Sequence, residues 1–151
     1  MDNKMFCHQC EQTAGCTGCT GKAGVCGKTS DVAHLQDELT GALIGLARST
    51  DGGTQATSDT WRLMMEGLFT TVTNVNFNEK TIREMIDRVH AEKERLVPNC
   101  SDCASRCGRN DDYDMTLLWN AGEDVRSLKS LILFGVRGMA AYAHHAMVLG
   151  Y

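Results

Sequence analysis

Eight cysteines carry most of the chemistry this chain can do, and they fall in two groups. The first group lies in "FCHQCEQTAGCTGCTGKAGVCGK" (residues 6–28), where Cys7, Cys10, Cys16, Cys19 and Cys26 are interleaved with glycines. A Cys-x2-Cys pair lets one tight turn present two thiolates to a common centre. Glycines let the backbone wrap closely and aim its N–H groups at the sulfurs. Iron–sulfur clusters and structural zinc both take four such ligands. Cys7 and Cys10 form the pair. Spacing alone does not choose the remaining two from Cys16, Cys19 and Cys26, nor does it choose iron–sulfur over zinc.

The second group is Cys100, Cys103 and Cys107, in "PNCSDCASRCGRNDDYD". On a helix these three would lie near one face. In a loop they form a three-ligand half-site awaiting a fourth sulfur, which Cys16 could supply. This second site would hold another iron–sulfur cluster or zinc. Against it stands the plainer reading of three buried or free thiols.

Other chemistry-bearing residues carry less. His8 sits between two cysteines and can tune a bound group or simply pack on the loop. His144 and His145 are adjacent, so they point in different directions on a helix and do not suit a shared metal. Met64 and Met65 read as core filler, and Trp61 and Trp119 as core anchors. "DDYD" (residues 111–114) lacks the calcium-loop pattern and reads as a polar turn. "GKTS" lacks the upstream glycine spacing of a phosphate-binding loop.

These residues need a scaffold, and the pattern between the cysteine groups is helical. Val32, Leu35, Leu39, Leu43 and Leu46 recur at spacings of three and four, with Ser30 or Asp31 as the expected N-cap. "DGGTQATSD" reads as a connection. A second helix is expected from about Asp59 to Thr73, with Trp61, Met64, Met65, Leu68 and Val72 on its apolar face. A third, capped by Asn78, carries Ile82, Met85, Ile86, Val89 and Leu96, and ends near Val97 because Pro98 disfavours helix in the residue before it. The longest starts near Asn120, where Asn120 and Glu123 have capping-box spacing. It carries Val125, Leu128, Ile132, Val136, Met139 and Ala143. Gly135 and Gly138 inside it each cost about 1 kcal/mol relative to alanine, so a closely packed backbone is expected over them. The expected fold is all-α, about four main helices with two cysteine loops. Residues 1–28 form the ligand loop and 29–151 the helical part, together one domain.

Composition limits the function classes. The formal charge is −4, with both signs mixed along the chain, and no basic stripe points to nucleic acid. The start, "MDNKMFCHQC", has no apolar core of a secretory signal. The longest apolar stretch, "LILFGVRGMAAYAHHAMVLG", is interrupted by Arg137, His144 and His145, which reads as a buried helix and not a membrane span. The expected compartment is the reducing cytoplasm, where clustered cysteines serve as metal ligands.

Four separated motifs add a resemblance. "MFCHQCEQT", "TGCT", "GVCGKTSDVAHLQDEL" and "EDVRSLKSLILFGVRGMAAYAHHAMVLG" resemble, in order, the N-terminal domain of the hybrid-cluster protein family, also called prismane protein or hydroxylamine reductase. The resemblance runs from Met5 over nearly the whole chain and is weakest in the second cysteine loop. It implies that Cys7, Cys10, Cys19 and Cys26 hold a cluster, with Cys16 outside the pattern. The short middle spacing resembles members with a 4Fe–4S cubane and not those with a 2Fe–2S centre. It also implies that the catalytic hybrid cluster, which reduces hydroxylamine to ammonia and also reduces nitric oxide, belongs to later domains. The expected partners are therefore those domains and a redox partner protein. The chain alone is expected to move electrons without reducing hydroxylamine. Apolar helix surface severed from the later domains would favour self-association.

Overall fold

The computed structural model describes residues 5–10, 18–50, 56–96 and 111–151. Among them are five helices and no strand: α1 (Ser30–Thr50), α2 (Ser58–Thr70), α3 (Glu79–Leu96), α4 (Thr116–Trp119) and α5 (Glu123–Val148). The four long helices match the sequence expectation. The one-turn α4 was not expected.

The core is built on α1. Its leucines at three- and four-residue spacing all turn inward: Val32, Leu35, Leu39, Leu43 and Leu46 are buried. They meet Ile82, Met85, Ile86, Val89 and Leu96 of α3, with Leu63 of α2 closing the third side. Both apolar stripes follow the helical period. Each fully buried Leu, Ile or Val contributes roughly 1.5–3 kcal/mol. α3 begins as expected, with Asn78 Oδ1 accepting from the Thr81 amide at 3.2 Å.

Several expectations fail locally. Thr29, not Ser30 or Asp31, caps α1, its Oγ1 accepting from the Val32 amide at 3.2 Å. The cap of α5 is Gly122, which has no side chain to offer, so the Asn120–Glu123 capping box does not form. Asn120 instead ends α4. α2 is rotated from the expected face: it buries Thr60, Leu63, Gly67 and Thr70, while Trp61 stands 53% exposed. Two contacts cause this. Thr57 and Thr60 form a reciprocal capping box, and the Thr60 hydroxyl also donates to Glu92, itself held by Arg95 at 2.7 Å. At the other end Gly67 sits so close to Leu43 that an added Cβ would stand 2.8 Å from Cδ2.

The largest departure is α5. It packs on α2 and α4, yet buries Ser130, Arg137 and Ala140. Val125, Leu128, Ile132 and Met139 of the expected core face are exposed, as are Leu131 and Tyr142. Nothing lies within 4 Å of a Cβ placed on Gly135 or Gly138, so the expected close backbone is not there among the described residues. The orientation follows from Arg137. Its Nε donates to Thr71 Oγ1 at 2.9 Å and its Nη2 to Thr40 Oγ1 at 3.0 Å. Both hydroxyls donate onward to carbonyls of their own segments, Thr40 to Gln36 and Thr71 to Leu68. That leaves their lone pairs for the guanidinium. The attraction of Asp37 reinforces the arrangement, while burial pushes Arg137 down to about 10.

Asp37 completes this polar layer. Its Oδ2 accepts from Trp119 Nε1 at 2.9 Å, which makes Trp119 a half-buried hydrogen-bond donor and not only an anchor. Burial lifts the Asp37 carboxyl from 3.8 to about 6, against the opposing effects of Trp119, Arg137, His34 and Lys28. "DDYD" is the polar turn expected. Asp112 pairs with Lys93 and with His90 at 2.7 Å. Asp114 Oδ1 accepts from the Thr116 amide at 2.9 Å, and the Tyr113 amide donates to Gly41 O at 3.0 Å.

Two measurements test this architecture. At Gly41 a Cβ would collide with the Tyr113 carbonyl, so Gly41→Ala should lower unfolding stability by about 1–3 kcal/mol. Gly135→Ala and Gly138→Ala should each raise it by up to about 1 kcal/mol. Denaturant titration of the three variants reads both signs. Asp37 gives a pH test. Its folded pKa lies above the unfolded value, so its favourable contribution is present below pH 3.8 and lost as pH rises through about 6. Asp37→Asn keeps the acceptor for Trp119 and lacks this loss. Its stability relative to the parent should therefore climb between acid and neutral pH, by on the order of 2 kcal/mol after screening at its solvent edge.

Candidate iron–sulfur loop

Two backbone closures shape the first cysteine loop. Cys7 and Cys19 face each other across an isolated antiparallel bridge. The Cys19 amide donates to Cys7 O at 2.7 Å and the Cys7 amide to Cys19 O at 3.1 Å. Gly18 feeds this bridge at φ +141°, under the Phe6 ring, where a Cβ would approach Cε2 to 2.7 Å. Only glycine fits there. The second closure pairs Ala23 with Thr29. Inside it the Gly24 amide donates to Lys28 O at 2.7 Å, and Gly27 turns at φ +86°. Cys26 rides on this turn, immediately ahead of α1.

The loop sits on the helices through a small apolar seat. Met5, Cys19 and Ala33 are buried together, with Cys7 packed against them. The Thr73 hydroxyl after α2 donates to Gln9 O at 3.0 Å, which ties the Cys7–Cys10 turn to the body. None of Cys7, Cys10, Cys19 and Cys26 is in a disulfide among the described residues, and Cys19 is buried while the others are half-buried. The bridge brings Cys7 and Cys19 together, and Lys28 links the Cys26 turn to Cys7. Among the described residues no three His, Cys, Asp or Glu side chains close on a single metal-ion position. Cys16, Cys100, Cys103 and Cys107 lie outside the described residues, as does the second site they would form.

Lys28 is the feature that sequence reading missed. It is 1% exposed and forms no ion pair with a carboxylate among the described residues. Its Nζ donates to Gln36 Oε1 at 2.6 Å and faces Cys7 Sγ at 3.8 Å. The Phe77 ring lies on another side, 5.9 Å from Nζ. A buried ammonium is costly without an anion, and the one anionic group this geometry offers in contact is a deprotonated Cys7 sulfur. In the free chain burial pushes the Cys7 thiol up, and Lys28 and a backbone hydrogen bond at Gln9 only partly offset this. Metal ligation removes that proton. The donor set and the unpaired cation therefore fit a negatively charged metal–thiolate group.

His8 packs among aromatic rings. Its ring meets Trp119 edge-on at 5.3 Å and lies near Phe6 and Phe134. Burial, with Arg126 nearby, holds it below the usual histidine range. His144 stacks on Phe69 at 4.2 Å, with His145 edge-on to the same ring at 5.9 Å, so both rings of the adjacent pair meet one aromatic face. Lys28, Gln36 and Asp37 all lie in the motif "GVCGKTSDVAHLQDEL", but the motif assigned them no role. Arg137 gave a signal of its own: it interrupts an apolar helix, which is where a buried cation declares itself.

Comparison with known proteins bears on this loop directly. The chain is 40% identical over 168 residues to a hydroxylamine reductase of Clostridium novyi, covering 97% of this chain and 30% of that protein. It is 38% identical over 160 residues to a hydroxylamine reductase of Maridesulfovibrio salexigens, with the same coverage. A third, from Porphyromonas gingivalis, is 37% identical over the whole chain and 31% of the relative. The chain thus spans about 30% of the length of the curated relatives it matches. Residues 5–151, the cysteine loop and all five helices included, match the Prismane/CO dehydrogenase family, and the chain belongs to that family.

Proposed function

We propose that this chain binds one 4Fe–4S cluster through Cys7, Cys10, Cys19 and Cys26 and serves as an electron-transfer unit of a hydroxylamine-reductase-type enzyme. One observation carries the reading: a loop that sets Cys7 beside Cys19 and turns a buried, otherwise unpaired ammonium toward the Cys7 sulfur. When bound, such a cluster accepts and releases one electron at a time. The chain's part is to fold the loop, seat it on Met5 and Ala33, and limit water at Cys19. Zinc, which four thiolates also bind, is the alternative that metal analysis separates from the cluster. Residues 1–28 act as the ligand loop and 29–151 as its helical support. The Met5–Cys19–Ala33 seat supports reading them as one domain. A reducing, cytoplasmic setting suits clustered cysteines that serve as metal ligands, and no described helix is long and apolar enough to cross a membrane.

The substrate chemistry, reduction of hydroxylamine to ammonia, is proposed for the whole enzyme and not for these residues. The exposed face of α5 is the proposed contact with the rest of it. Leu131, Met139 and Tyr142 are 67%, 74% and 82% exposed. Beside them a cavity of about 500 Å³ runs between α1, α2 and α5, lined by Leu43, Ile44, Met64, Leu68, Ile132 and Val136. Its rim holds Arg48 and Lys129, both against the Tyr113 ring. The relatives are more than three times as long as the region matched, and an apolar segment bearing a carboxylate from that remainder suits this surface.

Anaerobic reconstitution tests the cluster. The parent should turn brown, bleach on reduction and carry about four irons and as many sulfides per chain. Cys7→Ser and Cys19→Ser should lose most of that iron, while Cys16→Ser keeps it. A colourless protein with zinc in place of iron contradicts the reading. The α5 face is tested by sedimentation over a range of concentrations. Lacking its partner, the parent should self-associate, and Ile132→Lys should weaken this roughly tenfold or more, the equivalent of losing one buried aliphatic side chain. A monomer at every concentration contradicts it.

A further inference from the structure

Lys28 is placed to act on the redox chemistry of the cluster and not only to stabilise the loop. An ammonium has three N–H donors. Here one goes to Gln36 Oε1 at 2.6 Å, one faces Cys7 Sγ at 3.8 Å, and the Phe77 ring covers the remaining side at 5.9 Å. With 1% exposure the ammonium is shielded from bulk solvent. Gln36 is fixed from its other end, since its Nε2 donates to Asn76 O at 3.0 Å. The carboxamide therefore cannot swing away, and its neutral oxygen holds the ammonium without cancelling its charge.

We infer that Lys28 donates a charged hydrogen bond to the cluster-ligating sulfur of Cys7 and so sets the reduction potential of the cluster, with Gln36 as the positioning residue. This rests on the cluster reading proposed above. The physics has one direction. Reduction adds one electron to an already negative cluster, and a fixed cation at the ligand sulfur stabilises the more negative state. A charged donor in a dry site is stronger than a neutral one. One electron enters the cluster from the external reductant, and the step moves no proton. Glutamate at position 36 would cancel the charge, which is why a neutral acceptor suits the role.

Redox titration of the reconstituted chain, followed by absorbance and by EPR of the reduced cluster, tests this. Lys28→Met should shift the midpoint potential to more negative values at unchanged iron content, and Lys28→Arg should restore part of the shift. A Lys28→Met protein with full iron and the parent's potential overturns the inference. Should Lys28→Met not retain iron, the parent labelled with isotopic nitrogen in lysine decides. Its reduced cluster should show a nitrogen coupling in pulsed EPR that is lost in Lys28→Arg, and absence of that coupling in the parent overturns the inference. A parent that takes up no cluster at all instead refutes the reading on which the inference rests, and the two failures are told apart by iron content alone.

Discussion

Two cations with almost no solvent exposure, Lys28 and Arg137, fix how this molecule is put together. Neither has a carboxylate in contact. Each is held by neutral oxygens: Gln36 for the lysine, Thr40 and Thr71 for the arginine. All three acceptors stand on or beside the inner face of α1 and α2. The helix that makes most of the hydrophobic core is thus also the one that carries the polar layer. Asp37 supplies the nearby negative charge for Arg137. Asp37 also feels the charge of Lys28, but the sulfur in contact with the ammonium is that of Cys7.

The same arrangement explains why α5 turns its apolar side outward. Anchoring Arg137 between α1 and α2 spends the inward face of α5 on Ser130, Arg137 and Ala140. The helical period then places Leu128, Leu131, Ile132 and Met139 on the other side. Two glycines in that outer surface remove side chains where a neighbour would approach. The helix thus buries a mixed polar face against α2 and leaves its apolar face exposed.

Much of the fold could be read from the sequence, for reasons that differ by element. α1 and α3 were legible because their apolar stripes and their buried faces coincide. α2 was legible as a helix but not in its rotation. Trp61 dominates its apolar pattern, yet the Thr60 capping network and the close approach of Gly67 to Leu43 decide which side faces in. α5 misled for the opposite reason: its pattern is strong, but Arg137 turns the other face inward and leaves the apolar one exposed. α4 is one turn long, too short for periodicity to reveal. In the site, the cysteine spacing suggested a metal centre, and the family resemblance alone implied Cys7, Cys10, Cys19 and Cys26. Lys28 and Gln36 lie eight residues apart, one in a loop and one on a helix. Only the folded chain brings them together, and no local pattern encodes that.

The central claim is that these four cysteines hold a single cubane beside a buried cation. Mössbauer spectroscopy with metal counting on anaerobically prepared protein tests it most directly, because it reports cluster type and number together. The account predicts one spectral component of a 4Fe–4S cluster, with about four irons per chain. Mononuclear iron, a 2Fe–2S signature, or stoichiometric zinc without iron would contradict it.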